Sequence, residues 1–210
     1  MYPTAEVRWF YRGELPSDTE DWFRRRAGEV ERQPPRTDHY LRLQDSEGLN
    51  VKLRGGRIEI KQRVGLAKVT QFHEGVTGAL EQWRKWGFRL AEPGPARMRT
   101  LASVAAWIAV RKERRLRTYW VQDDWSIVAV PAAESQPQGC ELELTEVDAD
   151  GQSWWTLAFE AFGDESTLGD RLLRVARHVF RADEPPSLQA KDSHGYAAWL
   201  TNLARSEAPR

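Results

Sequence analysis

Lysine and arginine recur at alternate positions along several segments of this 210-residue chain, in a spacing suited to holding an anion. Residues Leu49 to Arg63 form two alternating segments around Gly55-Gly56, a β-hairpin signature. Leu49, Val51, Leu53, Ile58 and Ile60 fall on one face, and Asn50, Lys52, Arg54, Arg57, Glu59, Lys61 and Arg63 on the other. Like charges opposite one another destabilise a strand pair, so a face this one-signed points to a bound anion. The plainer alternative is a solvated row that keeps a sheet edge unpaired. Repetition favours the anion. Tyr40-Leu41-Arg42-Leu43 sets Tyr40 and Arg42 against Leu41 and Leu43, and over Val104 to Arg117 the track Val104, Ala106, Ile108, Val110 runs into Lys112 and Arg114.

Acidic counterparts lie late in the chain. Glu141 and Glu143 share a parity with Thr145, and Glu160 lies opposite the parity of Trp155, Leu157 and Phe159. Carboxylates facing such cations across a polar interior are able to hold a divalent ion while Lys and Arg hold phosphate oxygens, each set offsetting the desolvation of the other. That is triphosphate–metal chemistry.

Positioning these rows requires many strands. Ala5–Tyr11 is predicted as a strand, followed by a short helix from Asp18 to Gly28 with Ser17 as cap and Glu20 completing a capping box. Phe72, Val76, Leu80, Trp83 and Trp86 recur at spacings of three and four, which predicts a helix over Thr70–Trp86, ended by Glu92-Pro93-Gly94-Pro95. Thr118–Val121, Trp125–Val130, Cys140–Val147 and Ser153–Phe162 favour strand by aromatic and β-branched content, with a turn at Asp148–Gly151. Leu168, Leu172, Val175, Ala176 and Val179 mark an amphipathic helix, and a last helix spans Ser193–Ala204. With no βαβ alternation, the order argues an α+β fold: an antiparallel, tunnel-like β-barrel with flanking and closing helices. It reads as a single domain over 1–210, with a carboxy-terminal helical part, 163–204, packed on the barrel.

Composition bounds the partners. Apolar residues make up 40% of the chain, and its ten Trp can fill a sizeable core, although they also leave open an interaction module that stacks peptides or bases. Lys plus Arg equals Asp plus Glu at 31 each, so net charge implies no specific nucleic-acid partner. The single Cys140 excludes an internal disulfide, and no basic-then-apolar leader opens the sequence, so a cytoplasmic location is expected. The longest apolar run, Leu101–Val110, is half the ~20 residues a bilayer span needs, and no membrane partner is expected. His39, His73, His178 and His194 show no metal-ligand spacing, and Gly55-Gly56 is a turn, not a phosphate loop. Exposed strand edges leave a homodimer open.

The segments together resemble the CYTH superfamily, or triphosphate tunnel metalloenzymes. Glu6-Val7-Arg8-Trp9-Phe10 falls where that family has Glu-x-Glu-x-Lys, and Asp38-His39-Tyr40-Leu41 resembles its second strand. Leu53-Arg54, Ile58-Glu59-Ile60-Lys61 and Val110-Arg111-Lys112-Glu113-Arg114 are similar to its basic strands. Glu141-x-Glu143 and Phe159-Glu160 resemble its acidic ones, and Ser193-His194-Gly195-Tyr196 its terminal segment. The resemblance implies an antiparallel barrel that binds triphosphate, polyphosphate or another phosphorylated small molecule. Arg8, Arg42, Lys52, Arg54, Lys61, Lys112 and Arg114 would hold phosphate. Glu6, Glu141, Glu143 and Glu160 would hold Mg2+ or Mn2+, with Glu141 and Glu143 catalytic. The departure is in the first strand, where Arg8 stands in place of a carboxylate and Phe10 in place of lysine. Guanidinium there weakens divalent affinity and itself fills the metal's place while still able to bind an anion. Two classes follow: a metal-dependent phosphohydrolase, and a non-catalytic relative that holds a phosphorylated ligand.

Overall fold

Alternation of apolar and charged residues builds a wall with two different faces. The computed structural model describes residues 1–43, 46–90, 107–131, 134 and 136–206. Its elements are β1 (Tyr2–Arg12), α1 (Ser17–Arg24), β2 (Glu31–Arg32), β3 (Arg36–Leu41), β4 (Leu49–Arg54), β5 (Arg57–His73) and β6 (Val76–Arg89). After these come β7 (Trp107–Val121), β8 (Ile127–Val130), β9 (Gly139–Ala149), β10 (Gln152–Phe162), α2 (Leu168–Arg181) and α3 (Tyr196–Ser206). The strands run antiparallel in the order β7-β3-β4-β5-β6-β1-β10-β9, and a β7–β9 pairing closes the eight into a barrel. Strands β2 and β8 also pair with β7. The expected α+β barrel is therefore the fold.

On β1 the two faces are plain. Ala5, Val7 and Trp9 point out of the barrel and pack with Leu142, Leu144, Leu157 and Phe159 against Leu172, Val175, Val179 and Phe180 of α2, which also meets Trp22 and Phe23 of α1. The larger apolar core thus lies outside the barrel wall. Glu6 and Arg8, on the other parity, are buried inward. Phe10 follows them and joins Tyr40, Ile108, Val110, Val147 and Ala149 in a smaller apolar cluster covered by Trp199, Leu200 and Leu203 of α3. One end of the interior is apolar and capped by α3, and the rest is charged.

The helix expected over Thr70–Trp86 is instead the β5–β6 hairpin. Phe72 and Val76 sit on either side of a turn at Glu74-Gly75, where Gly75 takes φ 75°. The three-and-four spacing thus straddles a reversal of direction. Tertiary pairing decides the segment, since β6 is held by β5 on one side and by β1 on the other. Gly78 is required there, because a Cβ would meet Trp9 at 2.6 Å. The Glu92–Pro95 break and residues 104–106 lie outside the described residues.

Helix α1 also differs from expectation. It starts at Ser17 with Pro16 as N-cap, has no side-chain cap bond, and stops at Arg24 instead of Gly28. A buried arginine from β7 ends it: Arg117 donates to the carbonyls of Phe23 (3.1 Å), Arg24 (2.7 Å), Ala27 (3.2 Å) and Gly28. A cation on the last carbonyls complements the helix dipole. The Gly55-Gly56 turn is as expected, with both residues at positive φ. The final helix begins at Tyr196, after an extended strap in which His194 N donates to Arg8 O at 2.9 Å. Among the described residues, no helix is long and apolar enough to cross a membrane.

Candidate functional site: a charged barrel interior

The inward parities of all eight barrel strands converge on a cavity of about 380 Å³. It is lined by Glu6 and Arg8 of β1, Lys52 and Arg54 of β4, Lys61 of β5, Lys112 and Arg114 of β7, Glu141 and Glu143 of β9, and Glu160 of β10. Of the residues expected to hold phosphate or a metal, only Arg42 lies elsewhere. Strand β3 ends at Leu41, so alternation no longer aims the next side chain inward, and Arg42 pairs with Asp150 at the β9–β10 turn (2.8 Å).

A row of glutamates crosses four neighbouring strands at one level. Glu81 of β6 is opposite Glu6, Glu6 is opposite Glu160, and Glu160 is opposite Glu141. Directly opposed like charges are unfavourable unless counter-charges intervene. They do. Arg8 Nε donates to Glu6 Oε1 at 2.7 Å, and its Nη1 donates to Glu143 Oε1 at 2.6 Å and to Thr156 Oγ1 at 2.9 Å. Lys61 contacts Glu6 and lies 3.4 Å from Glu160, Lys85 contacts Glu160, and Arg63 meets Glu81 at 2.9 Å. Arg114 and the Thr145 hydroxyl complete the shell of Glu143. Burial alone would raise the carboxyls of Glu6, Glu143 and Glu160, but these cations hold all three below the ordinary carboxylate range.

Glu141 is the exception. No hydrogen bond or ion pair reaches its carboxylate from the described residues, and burial followed by the charge of Glu160 pushes its carboxyl up to about 7 despite Arg114.

A second cluster surrounds Asp38, which is fully buried on β3. Arg54 grips it as a fork, Nε to Oδ1 and Nη2 to Oδ2, each 2.7 Å. Arg36 and Lys112 stand 3.6 Å from it and Lys52 3.9 Å. Burial opposes ionisation, and the Arg54 fork with Lys112 and Lys52 overrides it, so Asp38 stays well below its usual range. Lys52 also bonds Glu59 at 2.9 Å, yet burial and the neighbouring Arg54 lower it to about 8. Tyr196, the first residue of α3, stacks on Tyr40 and lies beneath Arg8 and Lys112, joining the helix to the charged interior.

Several of these groups escaped the sequence reading. Asp38 and Tyr40 stood in a quoted motif with no role attached, and Glu59 was visible on the cationic hairpin face. Lys85, Trp83 and Trp86 were hidden inside the misread helix. Alternation of Glu81, Trp83 and Lys85 on one parity was the signal that would have found them.

The donor set does not fit the Mg2+ or Mn2+ that the resemblance implies. Such ions need carboxylate oxygens free to coordinate. Here Arg8 occupies Glu6 and Glu143 together, Lys61 and Lys85 occupy Glu160, and only Glu141 is left without a cation partner. Among the described residues, no three His, Cys, Asp or Glu side chains group so as to hold a metal ion.

Fold and site together define the class: an antiparallel β-barrel whose interior is lined by paired charges. No protein-family model and no curated protein sequence matches this chain. Among solved structures it is similar to the PH1819 protein from Pyrococcus horikoshii OT3, with a TM-score of 0.51, 97% of this chain and 99% of that one covered, and 10% sequence identity. At that identity the likeness concerns the fold alone.

Proposed function

We propose that the protein binds triphosphate or polyphosphate-type anions inside the barrel, using its own cations where a metalloenzyme would use a divalent ion. The observation that carries this is Arg8, which bridges Glu6 and Glu143 and so uses up the carboxylates a metal would need. The charge balance supports it as well. The cavity lining carries nine Lys or Arg side chains and five glutamates, and Asp38 behind it adds one more carboxylate. A surplus of cations in a low-dielectric pocket favours an anionic ligand. Arg54, Arg8 and Arg114 present guanidinium groups suited to phosphate oxygens. The order of basic and acidic strands supports a degenerate relative of the CYTH superfamily, with the ligand class kept and metal chemistry lost.

Calorimetric titration with sodium tripolyphosphate tests the reading. Binding is expected to be the same in EDTA as in Mg2+ or Mn2+, with no phosphate released over hours. Dependence on the divalent ion, or steady phosphate release abolished by Glu141→Gln, would instead identify a metal-dependent hydrolase.

A further inference from the structure

We propose that a row of arginines at one end of the barrel is a docking track for linear polyphosphate, so that a chain longer than triphosphate lies partly in the cavity and partly along its rim. The inference rests on the anion-binding reading above and names the form of the ligand. Register sets the row. Arg54 of β4 is directly opposite Arg57 of β5, and Arg57 is directly opposite Arg89 of β6. Arg36 of β3 adds a fourth guanidinium, on the parity of Asp38. Strand β3 runs from Arg36 towards Tyr40, which packs under α3, so these arginines lie at the end of the barrel away from that helix. Arg36, Arg54 and Arg57 line the cavity, whereas Arg89 is exposed beyond it. The row leads from inside to outside.

Like charges directly opposite one another weaken a strand pair unless counter-charge intervenes. The glutamate row has its cations interleaved, but the arginine row lacks matching carboxylates. Among the described residues, the side chains of Arg57 and Arg89 make no hydrogen bond or ion pair. Arg36 Nη1 donates to the neutral amide oxygen of Gln33 at 2.8 Å, which Arg114 Nη1 shares at 3.0 Å, and Arg36 Nε is 3.6 Å from Asp38, beyond hydrogen-bond range. Only Arg54 is held closely, by both Asp38 oxygens at 2.7 Å. Glu59, the other carboxylate at this end, bonds Lys52 at 2.9 Å and stands 3.6 Å from Arg54 Nη1. Gly87 of β6 keeps the track clear, since a Cβ there would meet Arg57 Nη2 at 3.2 Å.

A solvated cationic row protects the edge of a sheet. Here Arg54 is on a strand flanked by β3 and β5, and Arg57 on one flanked by β4 and β6, so no edge is there to protect. The missing counter-charge must come from outside the chain. A linear polyphosphate carries negative charge on every unit, and its oxygens suit a succession of guanidinium forks.

Calorimetric titration of the full chain at fixed ionic strength, with tripolyphosphate and with a medium-chain linear polyphosphate, tests the track. The parent is expected to bind the longer chain more tightly. Arg89→Gln, outside the cavity, should weaken the longer chain about tenfold, the loss of one charged contact, and leave the Kd for tripolyphosphate unchanged. Arg57→Gln should weaken both anions. Lys68→Gln removes one exposed cation elsewhere on β5 and should alter neither. Because Arg57 and Arg89 lack partners, neither of their variants should melt below the parent in the absence of anion. Equal affinity for the two anions, an Arg89→Gln effect no larger than that of Lys68→Gln, a lowered melting temperature, or heparin binding as tight as polyphosphate would each overturn the track. Tripolyphosphate binding separates the two ideas: if it persists alongside any of those results, the interior site stands without the track, and if neither phosphate anion binds, both fall.

Discussion

Arg8 is the residue on which the chemistry of the interior turns. It is buried between Glu6 and Glu143, and each carboxylate in turn raises the guanidinium's affinity for its proton. Removing one partner of a buried charge network leaves the others uncompensated, typically at a cost of about 3–5 kcal/mol. Arg8→Met is therefore expected to lower stability by about that amount at pH 7 in guanidinium denaturation. It should also create a Mn2+-dependent stabilisation absent from the parent, because Glu6 keeps only Lys61 and Glu143 only Arg114 as cation partners once Arg8 is gone. Loss of stability with no response to Mn2+ would mean that Arg8 is a structural ion-pair partner alone. Glu141 sets the pH response. Burial and Glu160 raise its carboxyl to about 7, so it gains charge as pH rises through 7 and then repels a bound anion. Tripolyphosphate binding should weaken between pH 6 and pH 8. Glu141→Gln should remove part of that dependence, about 1 kcal/mol or roughly fivefold in Kd for one charge across the cavity. Identical pH profiles for the two proteins would exclude Glu141 from the site.

Among the elements, the most informative differences from the sequence are α1 and the β5–β6 hairpin. Helix α1 is short, lacks a side-chain cap at its start, and ends on the guanidinium of Arg117, which is 3% exposed and donates to four carbonyls. Arg117→Met is expected to cost about 2–4 kcal/mol, since charged hydrogen bonds to buried carbonyls are lost, and Arg117→Lys should restore only part of it. Denaturant midpoints of the three proteins measure this, and equal values for Met and Lys would reduce Arg117 to a packing role. The hairpin shows why helical spacing misled. Period-3.6 and period-2 patterns overlap when a turn falls inside the window, and the window around Gly75 contains one. The charged parity Glu81, Trp83, Lys85 then carries three cavity or near-cavity groups that the helix reading scattered. Strand β3 shows the converse, since Arg42 had the right spacing but lay one residue beyond the strand that would have aimed it.

For the whole molecule, the unusual property is an apolar core outside the barrel and a charged one within. A ligand that neutralises surplus interior cations should stabilise the fold by mass action, by about 2.7 kcal/mol at a tripolyphosphate concentration 100 times Kd. The melting temperature should therefore rise with tripolyphosphate and fall back in 0.5 M NaCl, where exposed parts of the site are screened. An unchanged melting temperature would count against an interior anion site. The sequence by itself determined that most of the chain is antiparallel strand, that charge and apolarity alternate along it, and that its basic and acidic rows come in a fixed order, because side-chain parity is a local property of an extended backbone. Only the tertiary structure decided which face turns inward, that β7 pairs with β9 to close the ring, and that Glu81, Glu6, Glu160 and Glu141 stand side by side. Those outcomes depend no less on register between distant strands, Glu6 and Glu160 being 154 residues apart, than on composition. The β1–β10–β9 register carries Arg8 onto Glu143, 135 residues away, and sets a guanidinium among the carboxylates, a contact between distant strands that no local pattern encodes.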